Sequence, residues 1–204
     1  MSKRTKPPFR ADHVGSLLRP AALKKAREQR AKGEITPAQL NEIEDREIEH
    51  VIRKQEEVGL QSTTDGEFRR SWWHLDFLWG LDGIEKHIME TGVAFAAVTT
   101  RNEGLKVTGK VGFSNHPMIE HFKFVAAHTK RAPKITIPAP SAAYGRPMRT
   151  PIDQKAYPKL THCSRISARL IKRPFALLPM PAVAICSSMK SSSQCCAIRN
   201  TGRP

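Results

Sequence analysis

Thr64-Asp65-Gly66-Glu67-Phe68-Arg69-Arg70-Ser71-Trp72-Trp73-His74-Leu75-Asp76-Phe77-Leu78-Trp79 is the stretch whose reading decides the fold. Its sixteen residues hold three tryptophans, two arginines and four side chains bearing a carboxylate or an imidazole. Leu60 to Thr64, just upstream, is expected to be a strand that delivers Asp65-Gly66-Glu67 to its C-terminal end. Aromatic and charged groups gathered at a strand end have the composition of a pocket rim. The competing reading is ordinary aromatic core with solvated charges.

Working upstream, Thr36 is placed to cap a helix with Pro37 at its first position, where a missing N–H costs nothing. Leu40, Ile43, Ile48, Val51, Ile52 and Val58 then recur at helical period, and Gly59 provides the stop. An earlier helix is expected from about Ala21 to Lys32, after a short extended segment from Phe9 to Val14 that ends at Gly15-Ser16. Downstream, Val93 to Val98 and Leu105 to Val111 alternate and predict a β-hairpin across Arg101-Asn102-Glu103-Gly104. Ser114 or Asn115 is expected to cap a helix running to about Thr129, and Lys134 to Ile137 to form a strand before Pro138-Ala139-Pro140-Ser141. Ile152 to Leu160 begins a further segment. Strand and helix alternate as in an α/β fold with a parallel sheet. Three loops leave strand C-termini, the face on which a (β/α)₈ barrel carries its active site.

The chain carries 34 Lys+Arg and 19 Asp+Glu, a formal charge of +15, which raises nucleic acid as a partner. The distribution argues against it. Residues 161–204 hold seven basic side chains and no acidic one, and all four cysteines (Cys163, Cys186, Cys195 and Cys196) lie there. The N-terminus is basic without a following apolar run, and the longest apolar stretch, Pro174 to Cys186, is too short and too rich in proline to span a bilayer. A cytoplasmic protein without membrane association is expected.

Val14-Gly15-Ser16, Gly66-Glu67-Phe68 and the string from Asp65 to Gly80 resemble the cobalamin-independent methionine synthase family, in particular its shorter members. Phe122 to Ile137, with Thr129-Lys130-Arg131-Ala132-Pro133, follows the same members. The resemblance covers roughly residues 9–160. It implies the N-terminal part of a (β/α)₈ TIM barrel with an inserted β-hairpin. It also implies methyl transfer from a methyl-folate-type donor to homocysteine or a similar thiol. Val14, Gly15, Ser16 and Glu67 would bind the amino-acid end of that substrate. The chemistry agrees: a Glu67 carboxylate suits an α-ammonium, while the Ser16 hydroxyl and the amides near Gly15 suit an α-carboxylate. A capping role for Ser16, and a surface ion pair of Glu67 with Arg69 or Arg70, are the structural alternatives. His13, Asp65, Trp72 and Trp73 are candidates for the same pocket, the tryptophans either as a stacking face for a pteridine or as core.

In that family a zinc ion, held by His, Cys, Glu and Cys from later strands, makes the substrate thiolate available at neutral pH. Those ligands are expected to be absent here, and the tail cysteines lack the spacing of a tetrahedral site. No catalytic or metal-binding residue is therefore assigned. The tail suggests its own origin. Shifted by one base, the codons of Thr161 to Lys172 can spell DPLFTDLGAAYK, and those of Arg173 to Lys190 can spell KAVRAFADAGCRYLQLDE. The second string resembles the family's helix and acidic strand at this point. Residues 1–160 are thus expected to form a partial TIM-barrel methyltransferase domain, and 161–204 an out-of-frame, disordered tail. Such a chain is expected to be inactive and prone to aggregation through open sheet edges. A basic nucleic-acid-binding module and a non-catalytic amino-acid-binding relative are the other readings.

Overall fold

The computed structural model describes residues 9, 11–90, 94–95, 98–99, 101–138, 151–158, 183–186 and 195–198. Helix α1 spans Ala21–Ala31 and α2 Pro37–Glu57. At the start of α2 the Thr36 hydroxyl accepts the Gln39 N–H (3.2 Å) and the Gln39 side chain accepts the Thr36 N–H (2.8 Å). This reciprocal cap satisfies two amides that the helix itself leaves without partners. Ile48 and Ile52 are buried with Leu23, Phe68 and Val125, and Leu40 and Val51 pack against them. Val58, placed on this face by its spacing, is instead 74% exposed, because the helix has already ended at Glu57.

Strand β1 is Ser62–Thr63, shorter than expected. The expected strand from Phe9 to Val14 forms no ladder among the described residues. The edge of β1 that a strand there would use is occupied at Thr64, whose N–H and C=O both bond to the Gln55 side-chain amide at 2.9 Å. Across the other edge, β1 pairs in parallel with β6 (Ala132–Pro133), numbered after the intervening elements given next.

Between them come helix α3 (Leu75–Trp79) and strand β2 (Asp82–Ile88), then two-residue strands β3 (Ala94–Phe95) and β4 (Val98–Thr99), strand β5 (Glu103–Gly112) and helix α4 (Pro117–His128). A hairpin is present, but its pairing differs from the expectation. β5 runs antiparallel to β2, while Ala94–Phe95 pairs with Val98–Thr99. The weakly alternating Asp82–Ile88 buries Ile84 against Val107, and that packing selects the partner. Helix α4 is capped by His116, whose Nδ1 accepts the Met118 N–H at 3.2 Å. Ser114 does not cap it because its hydroxyl and N–H both donate to Asp82, at 2.7 and 2.9 Å.

Two short strands follow one another over 132–138, each in its own sheet. β6 pairs with β1, and β7 (Thr136–Pro138) pairs in parallel with β8 (Val183–Cys186), which turns back antiparallel to β9 (Cys195–Ile198). Those two strands are the described part of segment 161–204, and the remainder of the expected tail lies outside the described residues. Leu75, Phe77, Leu78, Leu105, Val107, Met118, Phe122 and Ile137 form the larger apolar core, roofed by the β2/β5 hairpin. The result is an α/β fold in which helices separate parallel strands, consistent with part of a TIM-type barrel. Among the described residues, no helix is long and apolar enough to cross a membrane.

Candidate functional site

Two chain segments meet beyond the C-terminal end of β1. The first is the tight turn from Thr64 to Arg70. The Asp65 carboxylate accepts the Glu67 N–H at 2.9 Å, and the Thr64 hydroxyl oxygen accepts the Gly66 N–H at 3.1 Å. Side-chain acceptors of this kind stabilise turns by reaching two residues ahead. Gly66 (φ +65°) and Glu67 (φ +59°) are both left-handed, and Glu67 is the one non-glycine residue with positive φ among those described. A side chain held in that region costs about 1–3 kcal/mol, and such residues cluster at functional sites.

The second segment is Asp12 to Arg19. Its Leu17 N–H donates to Gly66 O at 3.0 Å, and the Thr64 hydroxyl donates to Gly15 O at 2.8 Å. Gly15 has φ +136°, and a Cβ there would lie 2.8 Å from the Thr136 hydroxyl, so glycine is required twice over. The Thr136 hydroxyl donates to Val14 O, and the Lys134 ammonium donates to His13 O and to Asp12 Oδ1, the latter at 2.8 Å. Arg19 reaches across to Glu67 O (3.0 Å) and Arg70 O (3.1 Å), and Arg27 also donates to Arg70 O (3.0 Å).

Glu67 is 3% exposed and Arg70 1%. One guanidinium nitrogen of Arg70, Nη1, lies 2.7 Å from Thr136 O and 3.4 Å from both Trp73 O and Glu67 Oε1. Burial raises the Glu67 carboxyl above its ordinary range. The Arg70 charge opposes that rise, Asp65 adds to it, and the Ser16 hydroxyl and Arg19 act downward. Asp65 Oδ2 and the Nε and Nη2 atoms of Arg70 are buried without a hydrogen-bond partner.

The predicted residues divide into two groups. Gly15, Ser16, Asp65 and Glu67 come together, with Val14 beside them, 52% exposed. His13 flanks this group, with its Nε2–H donated to Gln55 Oε1 at 2.9 Å. Trp72 and Trp73 do not join it through their rings. The indole N–H of Trp72 donates to Glu103 on β5 at 2.6 Å, and Arg101 lies over its ring at 4.5 Å. Trp72 packs against the larger apolar core, and the Trp73 ring lies 4.7 Å from that of His74. The Glu67–Arg70 contact exists, but it is buried rather than superficial. Arg69 turns instead to Glu44 and Asp45. Sequence reasoning missed Arg19, Gln55, Lys134 and Thr136 as builders of the site. No local pattern marks them, since each acts across at least nine residues of sequence.

Among the described residues, no group of three or more His, Cys, Asp or Glu side chains is placed to hold a metal ion. The donor set of the described residues therefore does not fit zinc. A polar groove of about 550 Å³ between α2 and α4, lined by Asp45, Arg69, His121, Phe124 and His128 among others, contains none of the predicted residues.

No protein-family model matches the chain. It is 52% identical over 145 residues to the uncharacterized protein YxjG of Bacillus subtilis, covering 71% of this chain and 38% of that protein. A 65-residue segment is 38% identical to the 5-methyltetrahydropteroyltriglutamate–homocysteine methyltransferase of Mesorhizobium japonicum, 32% of this chain and 8% of that enzyme. Among solved structures, a Listeria monocytogenes protein provisionally described as a vitamin-B12-independent methionine synthase aligns with TM-score 0.66 and 39% identity. That alignment covers 81% of this chain and 46% of the Listeria chain. The chain thus spans well under half the length of the curated relatives it matches. Within that span, the chain is homologous to YxjG and YxjH and to proteins described as B12-independent methionine synthases.

Proposed function

We propose that residues 1–160 are the N-terminal part of a methyltransferase of the methionine synthase type. In this reading their site takes the amino-acid end of homocysteine or a related thiol. One observation carries the proposal. The Gly15-Ser16 loop is bonded directly onto the Asp65-Gly66-Glu67 turn, through Thr64 to Gly15 and Leu17 to Gly66. An ammonium acceptor and carboxylate donors thereby lie side by side. Glu67 would accept the α-ammonium, and Ser16 with the neighbouring amides would hold the α-carboxylate. The reading extends to ligand binding by this chain and assigns none of its described residues to the methyl-transfer step itself. The full reaction, with its zinc ion and methyl-folate-type donor, belongs to the longer relatives' architecture.

Calorimetric titration with L-homocysteine tests this reading. Binding should weaken tenfold or more in Glu67→Gln, because a hydrogen bond to a charged group contributes roughly 1.5–3 kcal/mol. Equal heats from both proteins would sink it. The proposal includes a single lost base near the Leu160 codon, supported by the sudden absence of acidic residues after it. Resequencing from codon 150 decides that part. A restored base opening a frame into DPLFTDLGAAYK supports it, and an intact gene with no such frame removes it.

A further inference from the structure

Several features compete for attention beyond the ligand loops. The groove between α2 and α4 is polar, but its Arg69 is already paired with Glu44 and Asp45. His116 is buried and satisfied at both ring nitrogens, by Phe77 O and by the Met118 N–H. Arg70 differs from both. It is a buried cation held by two backbone carbonyls beside the carboxylate proposed to meet the ligand.

We infer that Arg70 is a positioning residue for this site, acting through Glu67 rather than on the ligand. Its Nη1 atom is fixed by the carbonyls of Thr136 on β7 and of Trp73, and the same nitrogen faces Glu67 Oε1. Strand β7 and the Trp73 carbonyl therefore set where the cation lies, and the cation sets where the carboxylate lies. Glu67 needs such a hold, because its backbone is left-handed and its side chain is 4% exposed. Three other groups bear on it, the Asp65 carboxylate from the same turn, the Ser16 hydroxyl and the Arg19 guanidinium, and so does burial. Burial and Asp65 favour a neutral carboxyl. A neutral carboxyl would hold an ammonium poorly, so the nearest cation maintains the ionised, receptive form. Since one nitrogen carries all three contacts, an ammonium with three donors is the conservative replacement.

This inference rests on the ligand reading above, and two measurements on the full chain keep them separable. The first is the titration of the Glu67 side-chain carboxyl by carbon-13 NMR, in parent, Arg70→Gln and Arg70→Lys. The second is L-homocysteine binding near neutral pH. Arg70→Gln should move the Glu67 titration upward by about one pH unit or more and weaken binding about tenfold, whereas Arg70→Lys should restore most of both. An unmoved Glu67 titration in Arg70→Gln overturns the inference, even if binding falls. If no variant binds homocysteine while the titration moves as expected, the ligand reading fails and the role of Arg70 toward Glu67 stands. Should Arg70→Gln fail to fold, Arg70→Lys decides. Its Glu67 titration should stay within about half a unit of the parent, and a shift of a full unit overturns the inference.

Discussion

Two regions of this molecule are equally hidden from water and are built from opposite materials. Under the β2/β5 hairpin, Phe77, Leu78, Val107 and Ile137 are at 0% exposure. Beyond β1, Thr64, Asp65, Glu67 and Arg70 are at 1–3%. Apolar burial of the first kind stabilises at about 25 cal/mol per Å² and asks only for shape. Burial of the second kind costs free energy unless every charge finds a partner, and even a good buried pair seldom outperforms an apolar replacement. The polar region here is also incompletely paired, with Asp65 Oδ2 and two Arg70 nitrogens lacking partners. The hairpin region therefore holds the fold together. The polar region is a cost of the kind a binding site imposes.

The largest expected effect tests the hairpin side. Phe77→Ala removes a fully buried ring and should lower unfolding free energy by about 3–5 kcal/mol in urea titration. A loss below about 1 kcal/mol would show that this cluster is not the core. On the polar side, Gly15→Ala puts a Cβ against the Thr136 hydroxyl at a left-handed backbone position. It should cost about 1–3 kcal/mol and should abolish homocysteine binding before it abolishes cooperative unfolding. If stability and binding fall in proportion, the two regions are one unit and the contrast fails.

The smallest effect is a pH dependence of opposite sign in two carboxylates. Burial raises the Glu67 carboxyl, so its contribution to stability is fullest below the unfolded value and is lost as pH rises through the folded value. In Asp12 burial also acts upward, but the hydrogen bond and charge of Lys134, with the Ser62 hydroxyl and the His13 N–H, bring it below its ordinary value. Its contribution is present above the unfolded value and is lost as pH falls through the folded one. Melting temperatures should therefore diverge in a defined direction. Relative to the parent, Glu67→Gln should gain as pH rises from about 4 to about 7, while Asp12→Asn should lose as pH rises toward about 4, with little further change above about 5. Parallel pH profiles for parent and Glu67→Gln would contradict the environment assigned to Glu67.

The sequence by itself determined whatever depends on a few adjacent residues. Thr36, Pro37 and Gly59 set the bounds of α2, because caps and stops act within one helical turn. The loops at Gly15-Ser16 and Asp65-Gly66-Glu67 were legible for the same reason, as was the homologous family, through their residue order. Tertiary structure alone decided the rest. It chose Asp82–Ile88 as the partner of Glu103–Gly112, since a strand's pattern names a buried face but not the neighbour that covers it. It gave the cap of α4 to His116 by engaging Ser114 with Asp82. It also made Glu67–Arg70 a buried pair instead of a solvated one. The worth of a charge pair depends on how much water the surrounding chain excludes, and no local stretch of sequence encodes that.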